Sequence, residues 1–228
     1  MSVEIFLTRH GKTMFNTLGR AQGWSDSPLT KAGEAGIIEL GRGFRALGIT
    51  FDAAYTSDTG RTLQTKDLIL QYADNLEIPQ TYDKRLREWC FGSYDGGYDG
   101  DLFDGVLPRV FAEEGKNVWE QPLEEIHRAI YRLDTAGWAE TWEALRDRIL
   151  GILHEIAEKA EQENHTRILV VSHGMTIATV CYLLRPNEPR PRGLDNGSVT
   201  HLVYENGQFT VGKVGDMSYR EAGRKEHK

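Results

Sequence analysis

One local pattern, a histidine followed by a glycine after an apolar run, occurs twice in this sequence. His10-Gly11 follows the first run and His173-Gly174 follows a much later one. A neutral imidazole can act as a nucleophile or a base near neutral pH. The carboxyl ends of strands in an open α/β sheet form the ligand crevice, so we expect the two histidines to converge there. A lone histidine after a strand is more often structural, but the repetition favours a paired function.

Two arginines accompany these histidines. Arg9 directly precedes His10, and Arg61 lies just past the second predicted strand. Guanidinium groups bind phosphate oxygens in a fixed fork geometry. By itself Arg61 is best explained as a charge on a helix surface. Combined with the paired histidines, it predicts a local cationic pocket in a chain whose formal net charge is −7.

The order of these segments resembles that of the histidine phosphatase superfamily, also called the phosphoglycerate mutase-like family. The resemblance covers nearly the whole chain. Arg-His-Gly alone is a weak signal, whereas five matching segments in one order are highly specific. These segments are Arg9-His10-Gly11 with Asn16, residues 23–30 with Gly33, residues 57–65 around Arg61, Leu86-Arg87-Glu88 with Phe91-Gly92, and Ser172-His173-Gly174.

The resemblance implies phosphoryl transfer that needs neither a metal nor a cofactor. His10 would attack phosphorus and become transiently phosphorylated. Arg9, Arg61 and His173 would hold the phosphoryl oxygens, with Asn16 assisting, and their charges would stabilise the transition state. The partner implied is a small-molecule phosphate monoester.

An alkoxide leaving group needs a proton, and in the family a carboxylic acid supplies it. Glu88 matches that position, and its carboxylate could then activate water against the phosphohistidine. Without the resemblance, an ion pair with Arg85 or Arg87 would be the favoured explanation of Glu88. Asp58 is a weaker candidate for the acid, because a helix cap explains it fully.

Further residues match positions around the substrate. Gln22 and Gly23 correspond to the segment that lines the substrate mouth, Ser57 is placed to reach it, and Gly174 adjoins His173. Asn196 precedes a predicted strand, where a turn role is equally plausible.

The superfamily contains both phosphatases and phosphoglycerate mutases. Residues 95–125 hold nine acidic and two basic side chains, which would repel a multiply charged ligand if they face the site. The alternative is that these acids only solvate an outer face. Lys12-Thr13 after Gly11, and Met175-Thr176 after Gly174, are also more typical of the phosphatase branch. We therefore expect a phosphatase, with a cofactor-dependent mutase as the alternative.

An apolar wall would suit a bulky leaving group. Its predicted members, which could equally be packing residues, are Trp89, Phe91, Tyr94 and Tyr98.

Two further classes are less favoured. A non-catalytic phosphate-binding or scaffold protein on the same fold would be expected to lack His10 or Glu88, and both are present. A zinc enzyme is disfavoured because the histidines lack helical ligand spacing and no cysteine cluster supports them.

The elements that must position these residues alternate between strand and helix patterns. Together with the resemblance, this alternation predicts an α/β fold: a three-layer α/β/α sandwich with a mostly parallel central sheet. We expect one domain over residues 1–228 with a cap-like insertion at about 94–137. The predicted strands are 3–8, 51–55, 168–171, 198–204 and 209–214, the last two joined at Asn206-Gly207.

Several helices follow from apolar spacing and capping residues. The first helix begins after Thr30 as its cap, stops at Gly48 and buries Gly33, Ile37, Leu40, Phe44 and Leu47. The second begins at a Ser57-Asp58 cap, runs to about Tyr72 and turns Leu68, Ile69 and Tyr72 inward, and a third has an apolar stripe of Trp138, Trp142, Leu145, Ile149, Ile152 and Ile156. A fourth helix covers residues 175–184, and we expect the tail, residues 221–228, to be frayed.

Amino-acid composition limits the classes of protein to which this chain can belong. Hydrophobic residues make up 39% and charged residues 27% of the chain, as in globular proteins. The negative net charge argues against a nucleic-acid partner, and no apolar run approaches the roughly 18–20 residues of a membrane span. The two cysteines do not form the pattern of a disulfide framework, and the sequence has no signal peptide pattern. We therefore expect a cytoplasmic protein. The oligomeric state stays open.

Overall fold

Strand β1 (Val3–Arg9) lies inside a six-stranded sheet in the computed structural model, which describes residues 1–189, 191 and 193–225. The strand order is β3-β2-β4-β1-β5-β6. Strands β1 to β4 are parallel, and β5 and β6 are added antiparallel at one edge. The remaining strands are β2 (Ala53–Thr56), β3 (Gln80–Tyr82), β4 (Arg167–Ser172), β5 (Val199–Glu205) and β6 (Gln208–Val211).

Alternate side chains of β1 enter two different cores. Val3, Ile5 and Leu7 belong to one buried cluster, while Phe6 belongs to the other. Because successive side chains of a strand point to opposite faces, both faces of the sheet must be covered. The predicted α/β/α sandwich with a mostly parallel sheet is therefore confirmed.

Helices cover both faces of this sheet. The helices are α1 (Met14–Leu18), α2 (Lys31–Ala46), α3 (Gly60–Tyr72), α4 (Leu107–Glu113), α5 (Leu123–Leu133), α6 (Trp142–Glu163), α7 (Gly174–Leu184) and α8 (Ser218–Lys225). Residues of α2 and α3 pack in the cluster of Phe6, and residues of α4 to α7 pack in the cluster of Ile5.

The region predicted as an insertion, residues 94–137, contributes α4, α5 and a π-helical turn, Asp101–Val106. It buries Leu102, Leu107 and Phe111 against the larger core cluster, so its apolar residues are anchored to the sandwich. This packing places one side of the insertion over the carboxyl ends of the central strands, where it lines the cavity described below.

Three local predictions about α2 and α3 have different outcomes. Thr30 caps α2, because its side chain accepts a hydrogen bond from the Gly33 amide. The predicted burial of Leu47 is wrong: this residue follows the last turn and is 53% exposed. The predicted Ser57-Asp58 cap is also wrong. Helix α3 has Thr59 at its N-cap position without a side-chain hydrogen bond.

Three corrections concern the rest of the chain. Trp138 is exposed and precedes α6, because the Asp134 carboxylate accepts several main-chain amides and organises a turn there. Strand β3 was not predicted, since its three residues are exposed and form no apolar run. The tail is not frayed through residue 225, because it forms α8; residues 226–228 lie outside the described residues.

Candidate active site

The two histidines of the repeated pattern lie side by side. Strands β1 and β4 are parallel neighbours, with Arg9 paired to Ser172 in the register, so His10 and His173 leave the sheet at the same edge. The His10 amide donates to the Ser172 carbonyl at 3.0 Å. Their ring centroids are 5.3 Å apart, with 62° between the ring planes. The convergence expected from the sequence is therefore observed.

The hydrogen bonding of His10 leaves one ring nitrogen for chemistry. Nδ1 lies 2.8 Å from the Gly11 carbonyl oxygen, which can only accept, so Nδ1 carries the hydrogen. Burial, then the positive charges of Arg61 and Arg9, lower the pKa of His10 well below 6.5. The ring is therefore neutral near pH 7, and Nε2 carries a lone pair with no hydrogen-bond partner among the described residues.

His173 has both ring nitrogens engaged. Nδ1 accepts hydrogen bonds from Nε and Nη2 of Arg61, at 3.2 and 3.0 Å. In the neutral ring the hydrogen is then on Nε2, which donates to Oγ of Ser57 at 2.8 Å. Burial and the charge of Arg61 lower the pKa of His173 well below 6.5.

Arg61 is fully buried, and its guanidinium donors all meet protein acceptors. Besides His173, it donates to the carbonyl oxygens of Ser25 and Gly23, at 2.8 and 2.7 Å, and to the Asp26 carboxylate at 2.9 Å. Asp26 also accepts the Gly60 amide at the start of α3, so it ties this helix to the arginine. The result is a positive charge held rigidly behind the two histidines.

Arg9 carries an unpaired donor. One terminal nitrogen donates to the Leu194 carbonyl, but its Nε is buried and has no hydrogen-bond partner in the described chain. A Cβ on Gly174 would lie 3.2 Å from this Nε and 3.4 Å from Cζ, so the absence of a side chain at Gly174 avoids a tight contact with the Arg9 guanidinium. An unsatisfied buried donor is costly, so this nitrogen is an exception among the polar atoms of the described residues.

Glu88 lies at the amino end of α7 and is 6% exposed. Its Oε1 accepts the amides of Trp89 and Thr176, and its Oε2 accepts the Met175 amide at 2.9 Å. The alternative prediction, that Glu88 forms an ion pair with Arg85 or Arg87, is wrong. Arg87 pairs with Asp58, and Arg85 pairs with Asp83 and Glu155. Asp58 therefore has a partner of its own and does not cap a helix.

These groups border a cavity of about 540 Å³. Six of the residues predicted for the site line it: Arg9, His10, Asn16, Gln22, Glu88 and Gly174. Arg61, His173, Ser57 and Gly23 do not line it; they form a hydrogen-bonded layer that adjoins His10 from behind. A cavity with a neutral histidine, an unpaired guanidinium donor and a carboxyl group can bind an anion and transfer a group to nitrogen.

A family model described as the histidine phosphatase superfamily (branch 1) matches residues 5–217. This chain belongs to that superfamily.

Individual relatives within the histidine phosphatase superfamily carry different names. The chain is 33% identical to a protein named probable phosphoglycerate mutase GpmB of Salmonella paratyphi A, with 96% of each chain covered. It is 36% identical to a phosphoglycerate mutase of Bacillus anthracis, with a TM-score of 0.90 and 98% and 97% of the chains covered. A phosphoserine phosphatase of Entamoeba histolytica, 23% identical, has the same fold, with a TM-score of 0.71 and 96% and 99% covered. The relatives' names therefore include mutases and phosphatases.

Two residues that sequence reasoning did not assign to the superfamily site support it. The Asn196 amide donates to the His10 carbonyl at 3.0 Å and to Oδ1 of Asn16 at 3.2 Å, so it links both residues. Asp95 accepts the Gly23 amide at 2.8 Å and joins the insertion to the loop that binds Arg61. The turn motif around Asn196 was a sequence signal that could have drawn attention to this residue. The sequence around Asp95 contains no signal that indicates its contact with Gly23.

The predicted aromatic wall is only partly present. Phe91 lines the cavity, but Trp89 is buried in the core, where its indole donates to Thr179. Tyr94 packs against the core, and Tyr98 is 56% exposed. The cavity takes its other apolar residues from the insertion and its surroundings: Phe103, Trp119, Leu123, Ile126, Met175, Ala178 and Leu194.

A metal-binding cluster and a membrane-spanning helix are both absent from residues 1–189, 191 and 193–225. No three His, Cys, Asp or Glu side chains in these ranges are grouped closely enough to hold a metal ion. None of the helices within the same ranges has the length and apolar character of a membrane span.

Proposed function

We propose that this superfamily member hydrolyses small phosphate monoesters through a phosphohistidine at His10, without a metal. The observation that carries the proposal is the state of His10: a buried, neutral ring whose Nδ1 is tied to Gly11 while Nε2 is left for attack. Arg9 also lines the cavity, where its guanidinium supplies donors for a phosphoryl oxygen.

In the first step, Nε2 of His10 forms a bond to phosphorus and the bond between phosphorus and the ester oxygen breaks. A proton from the Glu88 carboxyl group passes to the leaving oxygen, so an alcohol departs. Oε2 of Glu88 suits this role because it accepts one amide, whereas Oε1 accepts two amides and lies near the Thr176 hydroxyl. General acid catalysis of this kind contributes about 10²–10⁴-fold.

In the second step, water attacks the phosphorus of the phosphohistidine while Glu88, now a carboxylate, takes the proton of that water. The phosphorus–nitrogen bond breaks, and inorganic phosphate and neutral His10 are regenerated. Arg61 places a fixed positive charge behind both steps. Direct contacts of Arg61 and His173 with phosphoryl oxygens stay predictions, since protein acceptors now occupy their donors.

A phosphoglycerate mutase is the second candidate, favoured by the names of the 33% and 36% identical relatives. The cavity supports hydrolysis instead. Much of its lining is apolar, and it contains the Asp99 carboxylate, which would repel the carboxylate of a phosphoglycerate. The other eight acids of residues 95–125 do not line the cavity, so their charge does not enter the choice.

The decisive experiment measures hydrolysis of 4-nitrophenyl phosphate by the wild type in the presence of a chelator, alongside isomerisation of 3-phosphoglycerate primed with a bisphosphate. We expect phosphate release with the chelator present and little isomerisation. His10→Ala should lower kcat by at least about 10³-fold because the nucleophile is lost. His165→Ala, a histidine outside the cavity, is the matched control.

Three results would overturn the proposal. Loss of activity on chelation would exclude the metal-free route, and full activity of His10→Ala would exclude the nucleophile. Strong isomerisation with negligible hydrolysis would establish the mutase instead.

A further inference from the structure

A second carboxylate lies in the cavity in addition to Glu88. Asp99 lines it, and its main chain is fixed by a hydrogen bond from its amide to the Gly19 carbonyl at 2.8 Å. The neighbouring Tyr98 forms an isolated β-bridge with Arg20. The carboxylate itself has no hydrogen bond or ion pair to any described residue, so it presents free acceptors to whatever occupies the cavity.

The two arginines that line the cavity in the described part of the chain do not form an ion pair with this carboxylate. Arg20 donates to the Gly96 carbonyl at 2.7 Å, and its guanidinium lies 4.6 Å from the centre of the Tyr98 ring. Arg9 favours the charged form of Asp99, but it donates to Leu194 and not to this carboxylate. Burial is the larger effect and raises the pKa of Asp99. A half-buried carboxylate in this state gains most from a positively charged hydrogen-bond donor.

The same cavity holds aromatic rings. Phe91, Phe103 and Trp119 all line it. Aromatic faces attract cations through their quadrupoles, and together with a carboxylate they form the surroundings in which proteins bind organic ammonium groups. A neutral hydroxyl could donate a hydrogen bond to the carboxylate but would lack the attraction between a cation and the quadrupoles of the rings.

We propose that Asp99 is a specificity-determining residue that binds a positively charged amino group on the leaving alcohol of the phosphate ester. The inference rests on the hydrolase function proposed above. The substrates preferred would be monoesters whose leaving group combines an apolar or aromatic body with an ammonium group. The phosphoryl group would lie at His10 and Arg9, and the ammonium group at Asp99.

The test compares two esters that differ only in the charged group: 4-(2-aminoethyl)phenyl phosphate and 4-ethylphenyl phosphate. Both release phenols of similar acidity, so the chemical step is matched. We expect the wild type to show a kcat/KM about 10- to 100-fold higher for the amino ester, the range for one charge-assisted hydrogen bond. The preference should lie mainly in KM.

Asp99→Asn should reduce this ratio to near one. Asp101→Asn is the matched control, because Asp101 is an exposed acid of the same segment and does not line the cavity. It removes the same charge and should keep the wild-type ratio.

The outcomes separate this inference from the hydrolase function. Equal kcat/KM for both esters in the wild type would overturn the inference while leaving the hydrolase intact, and would mean that Asp99 only balances Arg9. An unchanged ratio in Asp99→Asn would do the same. No turnover of either ester would overturn the proposed function and this inference with it.

Discussion

The two oxygens of Glu88 have different surroundings, and this difference bears on the role of general acid that we propose for it. Oε1 accepts two main-chain amides and lies 3.1 Å from the Thr176 hydroxyl, while Oε2 accepts the Met175 amide. Oε2 therefore keeps more unused acceptor capacity than Oε1 for a contact with a leaving oxygen.

Glu88→Gln is expected to act according to the leaving group. An alkyl phosphate needs a proton on its departing oxygen, so its kcat/KM should fall by about 10²–10³-fold. With 4-nitrophenyl phosphate, whose leaving group is stable as an anion, the loss on phosphorylation of the enzyme should be much smaller. Single-turnover kinetics with both esters measures the difference. Equal losses with the two esters would show that Glu88 has a structural role only.

At the scale of elements, α2 and α8 make an unusually close contact. A Cβ on Gly43 would lie 1.7 Å from the Tyr219 carbonyl oxygen, and one on Gly223 would lie 1.8 Å from the Glu39 carbonyl oxygen. Arg220 also pairs with Glu39 at 2.7 Å across the same contact. The terminal helix is thus held by backbone proximity that only glycine permits.

Gly43→Ala is expected to lower the free energy of unfolding by about 1–3 kcal/mol, the usual cost of overpacking. Gly151→Ala in α6 is the control, since a Cβ there meets no atom within 4 Å. It should raise stability by about 0.5–1 kcal/mol, because alanine favours a helix more than glycine does. Urea titrations of the two variants measure the change in the free energy of unfolding, which should be negative for Gly43→Ala and positive for Gly151→Ala. Equal stabilisation would contradict the close contact.

At the scale of the whole molecule, burial of neutral histidines links folding to pH. His127 is 2% exposed and lies between Trp89 and Trp142, and its Nδ1 has no hydrogen-bond partner in the described part of the chain. Burial and the charges of Arg148 and Arg128 lower its pKa to about 4. His10 and His173 shift in the same direction.

Because these pKa values are lower in the folded state, the unfolded chain binds more protons below pH 6.5. The free energy of unfolding should therefore fall as the pH drops from 6.5 towards about 4. His127 contributes about 3 kcal/mol to that loss at the acid end. Urea titrations at several pH values should show a shallower dependence for His127→Phe. An unchanged slope would exclude His127 as a source of the linkage.

Local sequence patterns determined much of the fold. Apolar runs and helical spacing define β1, β4, α2 and α7, and Asn206-Gly207 forms the predicted turn between β5 and β6, both residues having positive φ. The pairing of His10 with His173 followed from the general geometry of strand ends in α/β sheets. Such features depend on periodicity, turn chemistry and chain direction, which a sequence contains locally.

Tertiary structure alone decided the partners of the charged residues. Arg61 meets Asp26, Arg87 meets Asp58, and Asn196 reaches His10 from 186 positions away. Charged and amide side chains have no periodic signature, so their partners depend on how distant segments pack. The side of the cavity that includes Asp99 is likewise built by residues 94–137, whose placement depends on burying their apolar side chains against the sandwich. The sequence therefore determined the pair of histidines at the strand ends, and packing decided what surrounds them.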